Sequence, residues 1–95
     1  MTPMPAEVNH YRSSPEFTEQ TIPDALLRNH ATSENVWARI VILEGSLRYV
    51  IDSTASGEER VEYILEQDID GIVLPKQVHH LELIGKVRFR VDFYR

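Results

Sequence analysis

Ninety-five residues, 42% of them hydrophobic, suffice for one domain with a single modest core and leave no room for a second globular unit. A formal net charge of -5, with the ten basic residues scattered, argues against a nucleic-acid surface, which needs clustered Lys and Arg to release counterions. The absence of cysteine excludes disulfides, thiolate zinc sites and cysteine nucleophiles together, so any metal must be held by nitrogen and oxygen.

The N-terminal stretch MTPMPAEVNHYR has no apolar signal-like region, and no apolar run approaches a membrane-spanning length. A cytoplasmic protein without a membrane partner is the expectation. Residues 1–16 hold three of the five prolines and little periodic pattern, and read as an N-terminal arm ahead of a single domain over residues 17–95. No chemistry is assigned to the arm, and His10 within it reads as a solvated side chain.

TIPDALLRNH, residues 21–30, fits either a short helix with Pro23 in its first turn or a strand. The strand is preferred, and it leaves His30 at its end, where a metal ligand is well placed. VWARIVIL, residues 36–43, is rich in β-branched residues and runs to Glu44 and Gly45, where the chain can turn back. SLRYVI, residues 46–51, alternates Leu47, Tyr49 and Ile51 on one face and is expected to pair with its predecessor as a hairpin. DSTASGEE forms the next turn with Ser56 and Gly57 at its tip, and RVEYIL repeats the alternation with Val61, Tyr63 and Leu65. The acidic residues Glu58, Glu59, Glu62, Glu66, Asp68 and Asp70 read as solvated turns and an outer strand face.

GIVLPKQVHHLEL, residues 71–83, is the stretch richest in chemistry. The apolar run stops at Pro75, which lacks an amide proton, and His79 opens the following strand. Alternation puts His79 on one face with Leu81, and His80 on the other with Glu82. In the closing VRFRVDFYR, Val87, Phe89, Val91 and Phe93 form an inner face, and Arg88, Arg90, Asp92 and Tyr94 the outer one. Six or seven short strands with regular turn signals and no long helix predict an all-β sandwich or small barrel whose mouth can hold a ligand.

Within that frame His30, His79, His80 and Glu82 can supply a two-histidine, one-carboxylate site for a divalent metal ion such as zinc, iron, nickel or manganese. The competing reading makes the adjacent histidines ordinary polar residues at a strand end. Trp37 and Arg39 share a strand face and could line a ligand pocket with His80, although a core aromatic beside a rim arginine is the commoner role. Asp92 fits a charge pair with Arg88 or Arg90 better than a metal. The isolated glycines form no phosphate loop and no receptor for S-adenosylmethionine, and there is no GxSxG elbow.

TIPDALLRNH, VWARIVILEGSLRY, VLPKQVHHLE and VRFRVDFYR, in that order, give the chain a resemblance to the TehB/YeaR-like branch of the cupin superfamily over about residues 12–95. The resemblance implies a cupin-like double-stranded β-helix, a small barrel or jelly roll connected with tellurite resistance. It puts His30 and His79 at metal-binding positions and matches Glu82 to the acidic residue that commonly follows. The chain departs from the pattern where a paired HxH motif is reduced to His30, and where Gln77 stands for the glycine expected two residues after Pro75. The resulting expectation is a metal-binding domain for an oxyanion or small molecule in a stress response, with a homodimer plausible because small sheets have edges to protect. The alternatives are a dioxygenase-type or hydrolase-type enzyme using the same metal, with Glu82 as a working carboxylate, and a metal-free interaction module.

Overall fold

The computed structural model describes residues 1–52 and 60–95. Its strands are β1 (His10–Ser13), β2 (Phe17–Thr18), β3 (Trp37–Gly45), β4 (Leu47–Ile51), β5 (Val61–Leu65), β6 (Gly71–Val73), β7 (His79–Glu82) and β8 (Val87–Tyr94). Helix is confined to one 3-10 turn, Asp24–Leu27, and no helix is long and apolar enough to cross a membrane. The tip of the turn at Ser56 and Gly57, with Glu58 and Glu59, lies outside the described residues.

The strands form two antiparallel sheets. One has the order β1-β8-β3-β6, with β2 also paired to β8, and the other has the order β5-β4-β7. Among the described residues no ladder joins them, so the sheets are not closed into the barrel that strand spacing suggested. The fold is all-β, with its core between the two sheets.

Alternation decides what enters that core. Ala38, Ile40 and Ile42 of β3 and Val87, Phe89 and Val91 of β8 point inward from the larger sheet. Leu47, Tyr49 and Ile51 of β4, with Leu65 and Leu81, meet them from the smaller one. Tyr49 is fully buried at 0% exposure, and its hydroxyl donates to the Ile72 carbonyl at 2.9 Å, which removes the cost of burying an unpaired phenol.

The hairpin expected between residues 36–43 and 46–51 does not form. β3 pairs with β6 and β8, while β4 pairs with β5 and β7. Each strand has one apolar face, and both faces are satisfied when the strands oppose one another across the core instead of lying side by side. Gly45 makes the change of sheet possible with φ 76, and Ser46 alone separates the two strands. A second correction concerns residues 21–30. Pro23, at φ -64, precedes the 3-10 turn of Asp24–Leu27, and the local hydrogen bond from Leu26 N to Pro23 O replaces the expected strand pairing.

Two glycines are fixed by their surroundings. A Cβ at Gly45 would overlap the Lys86 carbonyl oxygen, and one at Gly71 would come within 2.8 Å of a Leu65 methyl. Gly45→Ala is therefore expected to destabilise the domain by about 2 kcal/mol or more, since both φ and space oppose it. Phe89→Asp should cost about 4 kcal/mol or more by placing an unpaired charge at a site with 0% exposure. Urea denaturation monitored by tyrosine and tryptophan fluorescence checks both, and a Phe89→Asp chain with an unchanged midpoint would contradict the assigned core.

Candidate functional site

The 3-10 turn ends at Leu27, and the chain then extends to His30, which forms an isolated antiparallel bridge with His79 at the start of β7. Two backbone hydrogen bonds close the bridge, His30 N to His79 O and His79 N to His30 O, each 2.9 Å. The residues are 49 positions apart by their numbers, yet their ring centroids lie 4.0 Å apart at 56°. Sheet geometry therefore brings together the two histidines that the sequence singled out as principal metal ligands.

Both rings are oriented in the same way. Nδ1 of His30 lies 2.8 Å from the Arg28 carbonyl oxygen, and Nδ1 of His79 lies 2.8 Å from the Gln77 carbonyl oxygen. A carbonyl has no proton to give, so each Nδ1 carries the hydrogen, and in the neutral ring Nε2 keeps the lone pair. Among the described residues neither Nε2 has a hydrogen-bond partner. His79 is 3% exposed, with the Tyr49 ring edge-on at 5.7 Å. Burial pushes its pKa down to about 4, helped by His30 and opposed by the Gln77 carbonyl.

His80 and Glu82 occupy the opposite face of β7. His80 Nδ1 lies 2.7 Å from Asp52 Oδ2, and its Nε2 lies 2.9 Å from Glu82 Oε2. Arg48 donates to the other Glu82 oxygen at 3.0 Å. Burial lowers the His80 pKa, but the hydrogen bonds to Glu82 and Asp52 outweigh it and the net shift is upward. Glu82 is shifted down, first by His80 and then by Arg48. The carboxylate expected at the metal is thus engaged in a chain of charged side chains across β4 and β7, apart from the His30–His79 pair. Among the described residues no group of three or more His, Asp or Glu side chains has the geometry to hold a metal ion.

Trp37 and Arg39 point away from the core, because the alternate positions Ala38 and Ile40 point into it. Arg39 donates to Asp70 at 3.3 Å, and its guanidinium sits 5.9 Å from the centre of the Tyr94 ring. Asp92 pairs with Arg90 at 3.0 Å, the partner expected of it, and also accepts from Ser13 Oγ at 2.7 Å. At 6% exposure it is more enclosed than an ordinary surface charge.

His30 and His79 line a cavity of about 480 Å³ whose walls include Phe17, Leu26, Val91 and Phe93. That size is ordinary for a small-molecule site. Neither Trp37, Arg39, His80 nor Glu82 lines it. Residues 11–15 do, from the segment to which sequence reasoning gave no chemistry. The signal for them is the tertiary pairing of β1 with β8, which has no short-range signature in the sequence.

The depressed His79 pKa has a thermodynamic consequence. The unfolded chain takes up this proton near pH 6.5 and the folded chain only near pH 4, so stability is full above pH 6.5 and falls as the pH drops through that interval. The loss approaches about 3 kcal/mol below pH 4. Denaturant midpoints measured against pH should show this decline in the parent chain and a smaller decline in His79→Gln.

Comparison with known proteins adds the family. The fold is similar to that of an Escherichia coli K12 protein solved by crystallography, with a TM-score of 0.87, 22% identity, and coverage of 100% of this chain and 97% of that one. It is also similar to TehB from Haemophilus influenzae, with a TM-score of 0.82 and 24% identity over 96% of this chain and 32% of that one. At these identities the likeness is one of fold. No curated protein matches the sequence. The TehB-like domain profile matches residues 12–91, and the chain belongs to the TehB-like domain family.

Proposed function

We propose that this chain is a small-ligand-binding domain of the cupin-like, double-stranded β-helix kind, in which His30 and His79 together hold one divalent metal ion. The observation that carries this reading is the matched tethering of the two rings, each Nδ1 held at 2.8 Å by the carbonyl two residues earlier, so that among the described residues two Nε2 lone pairs are left without a partner. Fixing the distal nitrogen is how ligating imidazoles are oriented toward a metal. Two nitrogen donors suit zinc, iron, nickel or manganese, and the remaining positions fall to water or to the bound ligand. When bound, the ion supplies a positive centre for an oxygen donor.

An oxygen donor approaching the histidine pair itself would depend on the ion. A neutral imidazole offers an oxyanion only a lone pair at Nε2, which repels it, and the low pKa of His79 keeps that ring neutral at ordinary pH. The ligand class is an oxyanion or small polar molecule. The tellurite-resistance association of the family supports a role in stress response, in a cytoplasmic setting without nucleic acid or membrane as partner. A homodimer would shelter the sheet edges at β5 and β6.

The two-histidine, one-carboxylate enzyme is the weaker reading, because Glu82 spends both oxygens on Arg48 and His80. Metal analysis of protein purified without chelator is the direct test. Stoichiometric metal is expected in the parent chain and in Glu82→Gln, and none in the His30→Ala/His79→Ala double variant. Metal retained by the double variant, or lost from Glu82→Gln, would overturn the assignment.

A further inference from the structure

The chain carries 15 acidic residues against 10 basic ones, yet no aspartate or glutamate lines the cavity among the described residues. Its one formally charged lining side chain is Arg12. The described ion pairs of arginine engage Arg39, Arg48, Arg60, Arg88 and Arg90, and none of them includes Arg12. Instead its guanidinium lies over the Phe93 ring, 5.6 Å from the centroid, which steadies a cation, and among the described residues its N–H groups make no side-chain hydrogen bond.

A bulge in β1 puts Arg12 there. His10 pairs with Tyr94, so an unbroken register would set Tyr11 opposite Phe93 and Arg12 opposite Asp92, on the outer face. The register shift between His10 and Arg12 sets Arg12 opposite Phe93, on the cavity side, and Ser13 opposite Asp92. Side-chain bonds then lock the shifted register. Ser13 Oγ donates to Asp92 at 2.7 Å, and Val91 N donates to Ser14 Oγ at 2.9 Å. The bulge thus turns an outward arginine to the cavity side, where Arg12 remains exposed at the rim.

We propose that the cavity takes a small organic monocarboxylate, its carboxylate on Arg12 and its apolar body against Phe17, Leu26 and Phe93. This rests on the reading of the cavity as a ligand site and names the ligand class. One guanidinium matches one carboxylate, which it can meet with two parallel hydrogen bonds. The apolar walls reward a hydrocarbon body and penalise a compact, strongly hydrated inorganic oxyanion, which would leave most of its oxygens unpaired. The His30 and His79 rings line the same cavity.

Calorimetric titration of the full chain with benzoate, hexanoate, benzamide and sulfate tests the assignment. Benzoate or hexanoate should bind at least tenfold more tightly than benzamide and sulfate. Arg12→Gln should weaken the carboxylate at least tenfold, leave benzamide unchanged and keep the metal content and denaturation midpoint of the parent, while Arg12→Lys should restore part of the loss. Equal affinity for benzoate and benzamide, tighter binding of sulfate, an Arg12→Gln chain with parental benzoate affinity, or a metal-loaded parent that binds neither carboxylate would each overturn it. The metal assignment fails separately. A parent chain without metal that still binds benzoate through Arg12 removes the ion and upholds the carboxylate site.

Discussion

The two-residue period of β7 is the constraint on which the site depends. Adjacent histidines in a strand cannot share a face, so one enters the interior and the other remains with the charges outside. His79 lies beside His30 and Tyr49 and loses its affinity for protons through burial. His80, one residue later, lies between Asp52 and Glu82 and gains affinity for them. The same side-chain type has been driven in opposite directions by geometry alone. A metal site using both histidines, or His79 with Glu82, would need a bulge in β7, and the register of β7 with β4 runs without one from Ile51↔His79 to Arg48↔Glu82.

What keeps β7 in place is the passage of the chain from one sheet to the other at Gly45. Because β3 and β4 belong to different sheets, their apolar faces oppose one another, and Tyr49 can reach across to the Ile72 carbonyl. Tyr49 also braces His79 from the side. The larger sheet is organised on β8, which pairs with β3 along one edge and with β1 and β2 along the other. That second edge is where the N-terminal segment becomes part of the cavity wall. Core packing, the histidine pair and the cavity are therefore consequences of one arrangement, in which β4 supports the histidine and β8 recruits the residues facing it.

Much of this was legible because alternation is a local property. The inward set of β8 and the opposed faces of β7 follow from residue order, and the Asp92–Arg90 pair follows from their shared outer face. Sheet membership was not legible. VWARIVIL and SLRYVI alternate equally well whether they lie side by side or oppose each other, and only the positive φ of Gly45 with a one-residue link decides for opposition. The 3-10 turn after Pro23 was left open by TIPDALL, since a short apolar run fits either period. Trp37 and Arg39 share a face, as expected, but which face turns inward is set by the tertiary register that buries Ala38 and Ile40. Arg12 was the least accessible of all, because a single-residue bulge reverses the face of every residue beyond it.

An acidic protein that attracts an anion must do so by local means. Its net charge of -5 repels an approaching carboxylate, but at physiological ionic strength that field is screened over about 8 Å, so it governs encounter more than retention. Retention would rest on the local geometry at the cavity rim, where the exposed Arg12 guanidinium can meet a carboxylate with two parallel hydrogen bonds while the apolar walls take the rest of the ligand. Among the described residues no aspartate or glutamate lines the wall, and in the proposed site that matters as much as Arg12, since one lining carboxylate would neutralise that arginine. The acidic side chains sit instead on exposed turns such as Glu66 and Asp68, or are paired, as Asp70 is with Arg39 and Glu82 with Arg48. Burial keeps the His79 ring itself from adding a proton to the wall at ordinary pH. In the proposed site charge number would thus act as a selectivity device, with Arg12 as the one charged side chain among the described residues of the lining.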